Sequence, residues 1–371
     1  MKGIELLALD KNFNIVSLIN YSNLQWNRKF YEPGSFSVQI SLEQYSTDFK
    51  YLYTNDRPEM GEISQVNYKY DGLNRYVALS GYFLENRLNR MIAYAKANVT
   101  NITNQPSWTN QSGNAEDVAF AYFNGFKELS WNGGSADLNI LTGTNNHLGK
   151  FSDHSRRNEH LGAKIYSILK PSRMSYRVQY DLNKQNMTFS CYQGIDRTSD
   201  NEELNNPIVF STDYGNLINP DILISSTDYK NSFIDISTVT DSDSKKETVT
   251  IYVGSENELN EPNLFVQINS SLNADDYSNT EDMFKALSQE GHNELLEHKN
   301  ILSINFDTII GSYEYINDFD LGDLCSIEIT DFNLSADAVL TSIYEVIKKG
   351  QHILNLEFEY YVLYKGGINQ W

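Results

Sequence analysis

Residues 316–364, INDFDLGDLCSIEITDFNLSADAVLTSIYEVIKKGQHILNLEFEYYVLY, decide how the rest of the chain is read. After the turn Leu321-Gly322-Asp323, the residues Leu324, Ser326 and Glu328 alternate with Cys325, Ile327 and Ile329, the period-two pattern of a strand with one face buried. Two more such runs, 339–347 and 352–364, flank Lys348-Lys349-Gly350, where glycine suits a tight hairpin. The segment is therefore an antiparallel meander with no catalytic signature. Gly322 is expected to supply an unusual φ, and Asp323 to accept a local backbone hydrogen bond.

Working outward, the same logic applies at the other end of the chain. Two short strands surround Asp10-Lys11-Asn12, with Leu7, Leu9 and Ile15 expected on one side. Leu24, Trp26, Arg28 and Phe30 alternate with polar neighbours up to the break at Glu32-Pro33-Gly34, after which Phe36, Val38 and Ile40 resume the period. Strands at 60–70 and 76–83 are joined by Asp71-Gly72. Six short strands in the first 83 residues suffice for a small barrel.

The middle is mixed. Apolar residues at helical spacing predict helices from Asn114, as cap, to about Leu129, over 161–169 before Pro171, and over 282–298. A hairpin pairs 174–180 with 187–193, and strands return over 207–253. The fold class is mainly β with α+β insertions. The expected domains are a first β-barrel at 1–97, an inserted α+β domain at 98–200, returning strands with a second α+β module at 201–300, and a second β-barrel at 301–371.

Composition narrows the function. Twenty-five Tyr, 18 Phe and abundant turn residues favour strands. The balance of 29 Lys plus Arg against 49 Asp plus Glu, a formal charge of -20, argues against a phosphate-gripping surface, whereas an acidic wall lets a polyanion pass without sticking. Cys191 and Cys325 lie in predicted strands and read as small buried hydrophobes. The N-terminus lacks a secretory apolar region and there is no 18-residue apolar run, so a soluble chain made in a cytoplasm is expected.

Chemistry is sparse. In Asp153-His154 and Glu159-His160 the histidine spacing matches no helical zinc pair or finger, and Arg156 and Arg157 would oppose a cation. The acidic runs 241–244 and 273–282 lack the ligand pattern of a calcium loop. No Gly-x-Ser-x-Gly elbow occurs, and no cofactor is expected. The competing reading is a cell-wall polysaccharide hydrolase, which needs only two carboxylates, or a carbohydrate-binding module in which Tyr176, Tyr180 and Tyr192 stack on sugars. Strand cores explain those tyrosines equally well.

A family resemblance runs along nearly the whole chain. LQWNRKFYEPGSF at 24–36, with Pro33, Gly34 and Phe36, resembles the early signature of phage tail hub proteins, the siphophage Tal-like baseplate hubs. Gly81 within LSGYFLE, followed by Arg90, is similar to that family's next landmark. GIDRT at 194–198, PIVFS at 207–211, Gly215-Asn216-Leu217, Tyr229-Lys230-Asn231 and Leu321-Gly322-Asp323-Leu324 resemble the later ones, in order. The resemblance implies a homotrimer of subunits with two related barrels each, six barrels matching the hexameric tail tube. It also implies as partners the distal tail protein ring, the tail tube protein, the tape-measure protein and receptor-binding or fibre proteins. The implied location is the tail tip of a virion or tail-like particle assembled in the host cytoplasm. The chain stops at Trp371, soon after the second expected barrel, where many relatives carry a fibre or a wall-cleaving domain.

Overall fold

The computed structural model describes residues 4–359, except 71, 94–109, 128–129, 132–133, 136–138, 156–158, 203–204, 241–246, 257–261, 271, 273–278, 299–300, 310 and 349–350. The protein is mainly β, with several sheets and two helix-bearing modules. The first seven strands are β1 (Leu6–Leu9), β2 (Ile15–Ile19), β3 (Tyr21–Lys29), β4 (Ser35–Ser41), β5 (Tyr51–Tyr53), β6 (Gly61–Tyr70) and β7 (Arg75–Phe83). They pair antiparallel in the order β3-β4-β7-β6-β5-β1-β2. All seven contribute to one core, from Leu6 and Ile19 at one end of the path to Trp26 and Leu24 at the other, so the half-sheet curls around its own apolar centre. In the first hairpin the inward residues are Leu6, Ala8 and Ile19. Leu7 packs against a neighbouring module, and Ile15 is exposed; a register shift between Ala8 and Leu9 moves the phase from the one expected.

The C-terminal meander comprises Leu324–Ile329, Leu334–Lys348 and Gln351–Glu359. Its central strand begins at Leu334, five residues before the expected 339, because Asn333 takes a left-handed φ of 51° and turns the chain straight back. In Leu324–Ile329 every residue but Glu328 is buried, so this strand is covered on both faces rather than one. A distant segment that periodicity cannot show contributes to this: Ser199 N–H donates to Ser326 Oγ at 3.2 Å, Asp196–Arg197 and Val209–Ser211 add parallel to the strand's outer edge, and Leu217–Ser225 extends the same sheet by pairing with Ile301–Thr308. The second half-sheet thus draws on 196–225 as well as 301–359, and the expected boundary at 300/301 passes through it. Its core includes Phe30, Phe210, Phe306, Ile327, Ile343 and Phe358.

The two halves form one 14-stranded sheet, because Ser342–Lys348 runs beyond its pairing with Leu324–Ile329 and on that edge pairs antiparallel with Asn23–Lys29 of β3. Among the described residues the strand path runs from Leu217–Ser225 to β2 with no ladder joining its two ends.

Two modules hang from this sheet. The first holds α1 (Asn86–Asn89), α2 (Ala115–Lys127), α3 (Leu161–Leu169) and the hairpin Met174–Asp181/Asn186–Gln193. Its helices bury Val118, Tyr122, Phe123, Ile165 and Leu169 against Tyr176 and Phe189 of the hairpin. α2 starts where the sequence places it, but its first amides are held by backbone: Ala115 N–H donates to Lys150 O at 3.0 Å and Glu116 N–H to Leu148 O at 3.1 Å. Asn114 instead donates from Nδ2 to His147 O at 2.7 Å. The second module stacks α4 (Thr280–Glu297), capped by Asn279 accepting from Asp282 N–H at 2.9 Å, on the sheet formed by Ser232–Thr240, Glu247–Ser255 and Phe265–Ser270.

Glu85 fastens the first module to the first half-sheet, accepting from Val178 N–H at 3.1 Å. Burial, then the nearby Glu59 carboxylate, pushes its pKa from 4.5 up to about 7. A raised carboxyl pKa favours the protonated fold, so this group's contribution falls as pH rises from 4.5 to about 7 and is flat above. Glu85→Gln, which keeps the acceptor and removes the charge, should stabilise the protein at pH 8 by about 1–3 kcal/mol. Thermal melts should show the gain shrinking toward pH 4.5. A gain independent of pH would contradict this assignment.

Candidate functional site

The place where the two half-sheets meet holds a cluster of buried, paired charges. Leu24, Trp26, Arg28 and Phe30 all face inward from β3 or its end, which puts a guanidinium in a row of core positions. Arg28 is 2% exposed and must be matched by acceptors. Its Nε donates to Glu59 Oε1 at 2.7 Å, and its Nη1 to Tyr315 OH at 2.8 Å and to Asp320 Oδ1 at 2.5 Å. Burial opposes the charge, but Glu59, Tyr315 and Asp320 outweigh it and hold the pKa well above the ordinary arginine value.

A second arginine crosses the junction in the same direction. Arg57, in the loop between β5 and β6, forks onto Glu345 with Nε–Oε2 at 2.9 Å and Nη2–Oε1 at 2.5 Å. Glu345 lies on the long strand opposite Trp26, is fully buried, and meets His352 Nε2 at 2.6 Å. Burial works against its ionised form, yet His352 and Arg57 hold its pKa below the usual carboxylate range. The Tyr315 ring lies between the two cations, 4.6 Å from Arg57 Cζ and 5.7 Å from Arg28 Cζ. Both arginines come from the first half-sheet and two of their carboxylates, Asp320 and Glu345, from the second. The bidentate geometry makes this a positional lock more than a source of net stability.

Beside the lock sits the Gly322-Asp323 turn. Gly322 has φ +88°, and a Cβ there would fall 2.4 Å from the Phe30 ring. Its N–H donates to Leu340 O at 2.8 Å, and Leu340 N–H returns to Asp323 O at 2.9 Å. The Asp323 carboxylate accepts locally from Asp320 N–H at 3.0 Å, and at long range from Ile195 N–H at 2.8 Å and Arg197 Nε at 2.7 Å. Burial raises its pKa in spite of these donors. Gly194 backs onto Gly322 so closely that a Cβ would lie 1.9 Å from Gly322 carbonyl atoms. Asp323 therefore ties the return segment after the first module to the closing meander.

In the first half-sheet, a Cβ on Gly34 would meet Asn27 O at 2.3 Å and the Phe83 ring at 2.6 Å, and one on Gly81 would meet Glu62 O at 2.0 Å. Pro33 is half-buried in the turn leading to Gly34. Phe36 is buried against Trp26 and Phe83, with centroids at 5.7 and 6.3 Å. The residues singled out in the sequence thus form two groups, Gly322 and Asp323 beside Phe30, and Pro33, Gly34, Phe36 and Gly81 within the first half-sheet. Phe30 N–H donates to Thr341 O at 2.8 Å, and its carbonyl accepts from Ser175 Oγ of the first module.

The other candidates fall elsewhere. His154 is buried, and burial with the Lys164 charge pushes its pKa down to about 3. The side chains of Asp153, Arg156, Arg157 and Glu159 lie outside the described residues, as does the 241–246 turn. Cys191 and Cys325 are both buried. Tyr176 and Tyr180 are core residues of the first module, and Tyr192 packs on Phe30.

Residues 4–358 match the family model described as Siphovirus ReqiPepy6 Gp37-like protein, and the chain belongs to that family. The fold is that of phage tail proteins. The 43 kDa tail protein of prophage MuSo2 from Shewanella oneidensis aligns with TM-score 0.58 and 10% identity, over 95% of this chain and 98% of that one. The tail protein from Neisseria meningitidis MC58 gives 0.58 and 12%, over 98% of each. Prophage tail protein gp18 from Listeria monocytogenes EGD-e gives 0.54 and 11%, over 96% and 94%. No curated protein matches the sequence.

Two outcomes follow from the junction. Gly322→Val, which meets both the positive φ and the Phe30 ring, should abolish soluble folded protein or lower the melting temperature by more than 10 °C, on the order of 4 kcal/mol or more. Unchanged melting would remove the structural role of the turn. Arg57→Ala or Glu345→Ala alone should cost about 3–5 kcal/mol by denaturant titration, and pairing Arg57→Met with Glu345→Leu should recover most of it.

Proposed function

We propose that the protein is the non-enzymatic hub at the distal end of a phage tail or tail-like particle. Three copies form a ring that joins the tail tube and distal tail ring above to the tip or fibres below. The observation that carries the reading is the single continuous sheet: each chain holds two half-sheets, each curled round its own core, locked side by side by β3, the long strand and the buried arginines. One chain thus supplies two adjacent units, and three chains supply the six that match a sixfold tube. Membership of a siphovirus protein family and the tail-protein fold support the assignment. The net charge of -20 suits a conduit for the tape-measure protein and DNA, because like charge prevents sticking. In this reading Pro33, Gly34, Phe36, Gly81, Gly322 and Asp323 are structural: the first four shape close packing within the first half-sheet, and the Gly322-Asp323 turn ties the return segment to the closing meander.

The test is the native mass of the purified chain across a concentration series, alone and with its distal tail and tube proteins, followed by imaging of any ring. The expected result is a trimer with a central opening. A chain that remains monomeric even with those partners overturns the ring.

A further inference from the structure

The two modules face each other across a groove of about 760 Å³, within the range of roughly 300–1,000 Å³ typical of small-ligand sites. α4 supplies Phe284, Gln289 and Asn293 to it; Phe151 comes from the first module and Tyr252 from the sheet beneath α4. Phe151 is 65% exposed and Phe284 38%, so two large apolar rings stand in solvent in one concavity. Tyr252 adds a third ring, its centroid 5.9 Å from that of Phe284 and inclined by 40°.

The polar lining selects among ligands. Lys150 and Lys285 are balanced by Glu256 and Glu281, and Lys285 Nζ lies 3.2 Å from Glu281, so the groove offers no net positive charge to a phosphate. Gln289 and Asn293, one turn apart on α4, bond to each other through Nε2 and Oδ1 at 3.0 Å, which leaves the Gln289 carbonyl as an acceptor and the Asn293 amide as a donor. One wall of the groove is α4, which sets its planar amides beside the rings contributed by the strands opposite. Tilted aromatic faces beside planar amides fit a molecule with a C–H face and a rim of hydroxyls.

We propose that this groove binds a short neutral oligosaccharide, its pyranose faces on Phe151, Tyr252 and Phe284 and its hydroxyls on Gln289 and Asn293. The site lies within one chain and does not depend on ring formation, so it stands or falls apart from the hub assignment.

The full chain is titrated calorimetrically with chitotetraose, maltotetraose and cellotetraose, with inorganic phosphate as competitor, and is also applied to an array of neutral and amino-sugar glycans. At least one saccharide should bind saturably without competition from phosphate. Phe284→Ala and Gln289→Ala should each weaken that binding at least tenfold while leaving the melting curve unchanged. No saturable binding to any array glycan, binding that persists in both variants, or displacement by phosphate would overturn the proposal.

Discussion

Everything in this protein depends on one edge-to-edge pairing, in which Asn23–Lys29 of β3 lies antiparallel to Ser342–Lys348. The two strands are more than 300 positions apart in the chain. Closing so long a loop adds little entropy per residue, but it makes the contact late and non-local. Each half-sheet has its own apolar core, so burial can form the halves without specifying how they meet. The junction itself is therefore where polar geometry has to supply the specification.

The buried arginines do this through phase. A strand slipped by one residue turns every side chain to the opposite face. A slip of β3 would bring Arg28 out of reach of Glu59 and Asp320, and would expose Trp26 while leaving Glu345 buried opposite a polar neighbour. Several desolvated charges would then be unpaired at once, at about 3–5 kcal/mol for each broken pair. The correct register gains little over an apolar junction, but the wrong ones lose heavily. Phe30 extends the same constraint to the rest of the chain. It packs on Gly322, its N–H is held by Thr341, and its carbonyl is held by Ser175 of the first module. One residue thus relates the two half-sheets and a module.

Much of the local structure was legible in the sequence, and the reason is periodicity. The meander, the hairpins over 21–41 and 61–83, and the helices at 115–127, 161–169 and 280–297 follow from side chains a few positions apart. The parallel strands Asp196–Arg197 and Val209–Ser211 did not follow, because two or three residues carry no period and their partner lies over 100 positions away. Leu324–Ile329 was misread as half-buried for the same reason: its second cover comes from that distant segment. At the junction, Gly322 and Asp323 were visible as a turn, but the Ile195 and Arg197 donors that make Asp323 a tether were not. The lock did leave one trace, since Arg28 occupies a core phase between Trp26 and Phe30, and a charge there requires buried partners. Which carboxylates answer it cannot be read from one strand, because Glu59 and Asp320 sit at unrelated spacings.

The distribution of polar groups also separates what is rigid from what is adaptable. At the junction nearly every charge is enclosed and paired, with His352, Arg57 and Glu345 in one line and Arg28, Glu59, Asp320 and Tyr315 in another. Such an arrangement tolerates no rearrangement without stranding a charge, so the angle between the half-sheets is fixed. Between the modules the opposite holds: rings stand in solvent, charges are balanced but partly hydrated, and one helix face meets one strand. That surface is free to vary without disturbing the sheet, because α4 and the hairpin of the first module each rest on cores of their own. The fold thereby confines invariant geometry to the sheet and leaves the surface between the modules adaptable, a division that follows from where the buried charges lie.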